Sequence, residues 1–514
     1  MLLERLYRFR LSLMLTAVGV LAAILRLVGL SQPKALVFDE LYYAREAYSL
    51  EHMGYEGSWS GKNQAFAQGD FSGLNISAEH VVHPPLGKWI IAVGIKAFGP
   101  TPFGWRVSAA VVGTLTCVLL ALIAYRLFRS VLWGGVAGLF LAIDGQHIVE
   151  SRTALLDIFL TFFVVVAFGF LLLDRARNRK VLARRVAQRR ERLGLAEGAP
   201  LPGFRPGVGF RGWRFAAIVA LGLATGVKWS GIYFAGAFLI LSAVWDIVDR
   251  KRAGVLLYIP VAIVRSIFPA LFMTIVFLPT VYVASWASWF ASNDSYWRHW
   301  AGLHVDQGEQ WLPPTARSFL AYHEEMWQFH TSLTYSNGIT HPYGANPWGF
   351  IIQERPTAFY WDKVDVGEGT PPATTATVSA ITALGNPALW WAGAVAFLWA
   401  TARAIFRKDV LAWTVIIGTL GGWIPWLIIP DRVMFTFYSV SFAPWVMLTL
   451  VWALRRIAQP PRLKGKWSAP GGYAVGAFIA LAILLSGFFL PIWTGQWIPY
   501  NYWLAHMWLG SVWI

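Results

Sequence analysis

Apolar residues run in blocks of about 20 along most of the chain, long enough to carry a helix across a hydrocarbon core roughly 30 Å thick. Eleven such blocks fall near residues 10–30, 105–127, 131–149, 154–174, 215–229, 231–249, 264–286, 387–405, 410–429, 435–454 and 471–491. The block at 131–149 is weakened by Asp144, and that at 215–229 is short. Two long insertions, residues 31–104 and 287–386, interrupt the series. The first has a Gly-, Ser- and Asn-rich stretch, Gly54 to Gly73, between two segments near 40–53 and 86–99 that read as helices lying on a membrane surface. The second is crowded with Trp, Tyr and Pro, as interfacial loops are. With no repeat and no separate soluble stretch, residues 1–514 read as one membrane domain.

Charge orients the series. Basic residues gather in alternate connections: Arg5, Arg8 and Arg10; Arg126 and Arg129; a very basic loop from Arg175 to Arg214; Arg250 to Arg252; Arg403, Arg407 and Lys408; and Arg455, Arg456, Arg462, Lys464 and Lys466. These hold 28 of the 43 Lys and Arg residues, so the positive-inside rule predicts a cytoplasmic N-terminus, an extracytoplasmic C-terminus and an odd number of spans. The loop 175–214 reads as a solvated or lipid-facing surface with no catalytic part. Both long insertions then fall outside.

Composition agrees: 56% of residues are hydrophobic, 14% are charged and the mean hydropathy is +0.50. The net charge of +16 lies mostly in cytoplasmic connections, which points to anionic lipid and away from nucleic acid. Cys117, the lone cysteine, excludes disulfides and thiolate metal sites. The first apolar block carries Arg26 and has no small-residue cleavage site, so it reads as a retained span.

Several ionisable residues stand where a bilayer edge should be. Asp39 and Glu40 follow the first span, where partial burial can raise a carboxylate's pKa and poise it as a base; the plainer reading is a pair of acids favoured at a helix N-terminus. His83-Pro84-Pro85-Leu86-Gly87-Lys88 is a stiff turn presenting His83 and Lys88, or only a helix start. Arg152 and Asp157 flank the third connection. A charge at membrane depth costs about 2.5–3.5 kcal/mol on insertion scales, so they are either paired or used. Lys228, between two spans, and Arg432, after Pro430-Asp431, are further outer cations, which either snorkel or meet one anionic ligand at the outer leaflet. No HExxH, Cys/His cluster or Asp-x-Asp is present, so no metal site is expected; without a P-loop or a dinucleotide fingerprint, any sugar donor arrives already activated.

Taken in order, Phe38-Asp39-Glu40, Val82-His83-Pro84-Pro85-Leu86-Gly87-Lys88, Ser151-Arg152 with Leu156-Asp157, Lys228-Trp229-Ser230-Gly231, and Thr340-His341-Pro342-Tyr343 with Pro347-Trp348 and Arg355-Pro356 resemble the protein O-mannosyltransferases. The likeness spans residues 38 to about 440. It implies an all-α polytopic GT-C fold of about eleven spans. It also implies inverting transfer of mannose from polyprenyl-phosphate-mannose to Ser or Thr hydroxyls of secreted, Ser/Thr-rich proteins emerging from the Sec translocon, at the outer face of the cell membrane and without a cofactor. Asp39 becomes the base candidate with Glu40 beside it. Arg152, His83, Lys88, Lys228, Asp157, Arg355 and Arg432 are assigned to the donor's phosphate and sugar, and Glu40 and His341 to the acceptor. Some 100 residues stand where eukaryotic members carry a β-trefoil domain, so the bacterial, actinobacterial form is expected. Transfer of another lipid-linked sugar to lipid A or a glycan is the alternative within the fold, and a membrane transporter the alternative outside it.

Overall fold

The computed structural model describes residues 2–201, 203–364, 376–460, 463 and 465–514, and for residues 2–8 the backbone alone. Arg462, Lys464 and the side chains of Arg5 and Arg8 lie outside the described residues, as does the segment 365–375 of the second long insertion.

Most of the apolar blocks become helices close to where their length and hydropathy put them. They are α1 (Leu2–Leu27), α4 (Pro102–Phe128), α5 (Val131–Ala142), α6 (Gly145–Arg152), α7 (Asp157–Arg192), α8 (Gly212–Val227) and α9 (Gly231–Arg252). α10 (Tyr258–Ser285) has one π turn at Ile263–Ile267; α12 (Pro387–Phe406), α13 (Val410–Ile428), α14 (Ala443–Ala458) and α15 (Ala469–Thr494) follow. The first long insertion contributes α2 (Glu40–Met53) and α3 (Leu86–Phe98), the second α11 (Pro314–Ser332). Among the described residues eight helices are long and apolar enough to cross a membrane, nine if α5 and α6 form one broken span. The segments expected at 215–229 and 435–454 are helices of only 16 residues each, the second displaced to Ala443–Ala458 by a 3-10 turn at Thr436–Ser441. The chain is a multi-pass membrane protein.

The Asp144 that weakened the third block is what breaks it. Its carboxylate accepts the His147 N–H (3.1 Å), capping α6, and also the Asn386 N–H (3.0 Å) and the Trp390 Nε1–H (2.8 Å). α5 and α6 therefore bend by 60°. The carbonyls released at the break are met by Arg26, which donates to Leu141 O (3.3 Å) and Ala142 O (3.2 Å). Gly145 sits in that corner because a Cβ there would lie 1.9 Å from the Trp493 ring.

The basic segment 175–214, expected as a loop, is helical to Arg192. Leu182 and Val186 on that extension pack against Leu201, Leu195 and Phe204, so an apolar stripe holds it folded. Its last arginines are buried: Arg211 and Arg214 donate to Asp246 at 2.6 Å each, and Arg211 also pairs with Asp174.

Two small antiparallel sheets lie in the insertions, where no strand was expected. β1 (Gly57–Trp59), inside the Gly/Ser/Asn-rich stretch, pairs with β2 (Leu74–Ala78), directly after it. β3 (Thr357–Val364) pairs with β4 (Thr377–Ala383), and β4 with β5 (Trp497–Pro499), which draws the C-terminal segment onto the second insertion.

Candidate active site

The site is assembled at the start of α2. Phe38 adopts a left-handed backbone (φ 50°), unusual for a bulky residue, and is held there by stacking on Phe359 at 4.6 Å and edge contact with Phe437 at 5.4 Å. The next two residues divide the work of a helix N-terminus unequally. Asp39 occupies the N-cap position yet caps nothing. Glu40 is wholly buried; it accepts Val37 N–H (2.9 Å), Ala154 N–H (3.0 Å) and two guanidinium bonds from Arg106 (2.8 Å each). Glu40 therefore anchors the turn, and the Asp39 carboxyl makes no hydrogen bond among the described residues. Burial raises the Asp39 pKa to about 7, with Lys228 opposing and Asp157 and Glu46 adding to the rise.

Beside Asp39 the turn between α8 and α9 delivers Lys228, whose Nζ donates to Asp157 Oδ2 at 2.7 Å from the first residue of α7. Lys228 also lies 5.0 Å from the centre of the Tyr438 ring, a cation–π distance. Both line a cavity of about 620 Å³ whose polar wall includes His83, His330 and Arg432. Trp327, Phe329 and Ile428 contribute apolar lining and are well exposed to the surroundings. His83 is kept well below the usual imidazole range by burial, helped by Lys228, His330, Lys88 and Arg432, so it is neutral. The wall holds two cations, Lys228 and Arg432, and two carboxylates, Asp157 and Asp431, with Lys228 already paired to Asp157, so Arg432 is the cation left to meet an anionic head group whose hydrocarbon tail would suit the apolar lining.

Four predicted site residues thus come together in the cavity wall, His83, Asp157, Lys228 and Arg432, with Asp39 next to them. The others do not. Glu40 has no room for an acceptor. Lys88 is fully buried between Glu46 (3.2 Å) and Glu56 (2.6 Å), a clamp from α3 to α2 and the β1 turn. Arg152 does not line the cavity: it donates to Leu25 O, Arg26 O, Val28 O and Gly29 O at 2.8–3.1 Å, closing the C-terminal end of α1. Asp157, expected as its orienting partner, belongs to Lys228 instead. Arg355 ties the C-terminus down through Ser511 O, Val512 O and Ile514 O, and Pro342 O besides. His341 is exposed and caps its own turn, accepting Tyr343 N–H at 3.1 Å.

Replacing Arg152 should therefore act on stability. Arg152→Ala leaves four carbonyls at a partly buried helix end without their donor, and is expected to destabilise the protein by about 1–3 kcal/mol. Thermal unfolding in detergent, with specific activity normalised to folded protein, checks this. A stable Arg152→Ala with slowed single-turnover transfer would return Arg152 to the chemistry.

His330 and Tyr438 are cavity residues that sequence reasoning missed. No motif marks them: both sit in aromatic-rich stretches, 102 residues separating His330 from its partner Arg432.

Comparison with known proteins bears on this geometry. A family model described as dolichyl-phosphate-mannose-protein mannosyltransferase matches residues 96–182. The polyprenol-phosphate-mannose–protein mannosyltransferase of Mycolicibacterium smegmatis is 34% identical over 99% of this chain and 94% of its own length. That of Mycobacterium tuberculosis is 33% identical over 99% and 92%. Among solved structures, the Saccharomyces cerevisiae protein O-mannosyltransferase Pmt1-Pmt2 complex bound to the sugar donor superposes with a TM-score of 0.65 at 14% identity, covering 95% of this chain and 90% of the matched one. The fold is the GT-C fold expected from the motifs. With two such relatives aligned from end to end, the chain belongs to the polyprenol-phosphate-mannose–protein mannosyltransferase family.

Proposed function

We propose that this protein moves mannose from polyprenyl-phosphate-mannose to Ser or Thr hydroxyls of secreted polypeptides, with inversion, at the outer face of the cell membrane. The observation that carries the reading is the Asp39 carboxyl, making no capping bond and standing next to a cavity lined by Lys228 and Arg432, in a chain whose full-length relatives carry that activity in their names. The acceptor oxygen attacks the anomeric carbon while Asp39 takes its proton. The bond from that carbon to the phosphate oxygen breaks, and the donor's singly charged phosphodiester becomes a polyprenyl phosphate with one more negative charge. In this reading Lys228 and Arg432, both in the cavity wall, hold that added charge, an interaction worth more in an apolar recess than in water. They supply the positive charge that a divalent ion would otherwise bring, so transfer is proposed to proceed without one.

The test uses purified protein, defined polyprenyl-phosphate-mannose and a Ser/Thr-rich peptide, with and without EDTA. Glycopeptide formed equally in both arms is expected. No product with any Ser/Thr peptide would reject the reading, and loss in EDTA restored by Mg²⁺ or Mn²⁺ would reject its metal-free form.

Eleven spans, a cytoplasmic N-terminus and acceptors arriving from the Sec translocon belong to the same proposal, and the loop cations support it. The topology has a direct check, since native Cys117 is buried. Cysteines at exposed Ala187 and Thr340 should differ in intact cells, Thr340→Cys labelled by an impermeant maleimide and Ala187→Cys protected. Equal labelling would overturn the outer-face site.

A further inference from the structure

Arg432 reaches the cavity from the end of α13 by a route that depends on one residue of α11. Its Nε donates to His330 O (3.2 Å), and its Nη2 lies 3.2 Å from His330 Nδ1. The opposite ring nitrogen of His330, Nε2, lies 2.8 Å from Val82 O. A carbonyl can only accept, so Nε2 carries the proton; Nδ1 must then offer its lone pair, and a guanidinium N–H can only donate into it. One tautomer satisfies both contacts at once. A doubly protonated ring would set Nδ1–H against Nη2–H. Burial agrees with this, bringing the His330 pKa to about 4, with the bond to Val82 opposing and Arg432 adding to the fall. The anchor's backbone is held one residue earlier, where Val81 N–H donates to the Tyr322 hydroxyl (3.3 Å) and that hydroxyl lies 3.0 Å from Val81 O; Val82 and His83 line the cavity, and the His83 and His330 rings lie 5.3 Å apart. Arg432 Nη1 has no hydrogen-bond partner among the described residues, and the residue stands in the cavity wall.

Resting on the functional reading above, we infer that His330 is a positioning residue for the leaving group: anchored on Val82 O, it fixes the Arg432 fork so that Nη1 meets the phosphate of the lipid donor. It touches neither sugar nor acceptor. Its effect passes through Arg432, and this dependence can be measured.

The experiment is a double-mutant cycle on full-length protein in detergent, with polyprenyl-phosphate-mannose and a Ser/Thr peptide. Single-turnover transfer and donor affinity are read for His330→Ala, Arg432→Ala and the pair, with melting temperature recorded for each. His330→Ala should slow transfer roughly 10- to 100-fold, the range a misplaced charge-bearing group costs, while donor affinity falls less. In the Arg432→Ala background the same change should cost almost nothing more. His330→Gln, which offers both an acceptor and an N–H, should recover part of the rate in the Arg432 protein and none in Arg432→Ala. Should His330→Ala not survive purification, His330→Gln and His330→Asn carry the cycle. Equal fold-losses in both backgrounds would overturn the inference and mark His330 as a packing residue, even in a fully active enzyme. A wild-type protein that moves no mannose would overturn the functional reading first, and this inference with it.

Discussion

Asp39→Asn should abolish mannose transfer while leaving a well-folded protein. The substitution keeps shape and removes only the ability to accept a proton, and loss of a general base typically removes 10² to 10⁴-fold of rate. The usual objection, that an Asp before a helix is there to cap it, does not apply: Asp39 makes no capping bond, and the turn is held through Glu40 instead. pH makes the prediction sharper. The base must be ionised to act, and Asp39 titrates at about 7, so kcat/KM should fall roughly tenfold for each unit below pH 7. Stability moves the opposite way. A carboxyl whose folded pKa is raised from 3.8 favours the fold fully below that value and loses the contribution as pH rises through 7. Asp39→Asn should therefore melt no lower than wild type at pH 8, and higher if the ionised carboxylate strains the site. Measured turnover and melting curves between pH 5 and 8 test both limbs. A variant retaining near-normal turnover, or a wild-type profile flat across pH 7, would remove Asp39 from the mechanism.

What the sequence made legible follows from the kind of signal each feature leaves. Long apolar blocks declare helices because length and hydropathy are local, and α4, α9 and α15 appear near their expected bounds. Asp144 looked like a fault in a span because its carboxylate is answered from Asn386 and Trp390, more than 240 residues away. The helical stretch beyond Arg175 hid behind its charge; Leu182 and Val186 form a stripe too thin to outweigh the arginines around it. For Arg152 the charge was visible in the sequence and its partners were not. Arg152 and Asp157 stand only five residues apart, and that closeness in sequence suggests a pair. The chain turns between them at Thr153–Leu156, and Arg152 goes back to α1 while Asp157 goes forward to Lys228. The same blindness to distance merged Glu40 with Asp39 as chemistry, since Arg106 lies 66 residues further on.

Arg106 carries the largest structural prediction. Its guanidinium is 1% exposed and makes five bonds: two to Glu40 (2.8 Å each) and one each to Leu30 O (3.2 Å), Pro33 O (3.0 Å) and Ala35 O (2.8 Å). It thus ties α4 to the segment leading from α1 to Asp39 and to the acid that begins α2. Removing one partner of such a buried pair leaves the other without its counter-charge, at a cost of about 3–5 kcal/mol. Against a native stability of roughly 5–15 kcal/mol, Arg106→Ala should remove a large share of the stability and lower the melting temperature sharply. Glu40→Ala should be comparably damaging, because buried Arg106 then loses its counter-charge and two of its five bonds, and Val37 N–H and Ala154 N–H lose their acceptor. The double variant should be less destabilised than the sum of the two, since no unpaired charge remains. Arg106→Lys is expected to rescue only partly, as an ammonium cannot hold two carboxylate oxygens and three carbonyls in one plane. Melting temperatures of the four proteins decide between this and a catalytic role for Glu40. Strict additivity, or a Glu40→Ala that folds normally and fails only in transfer, would place Glu40 back beside Asp39 in the chemistry.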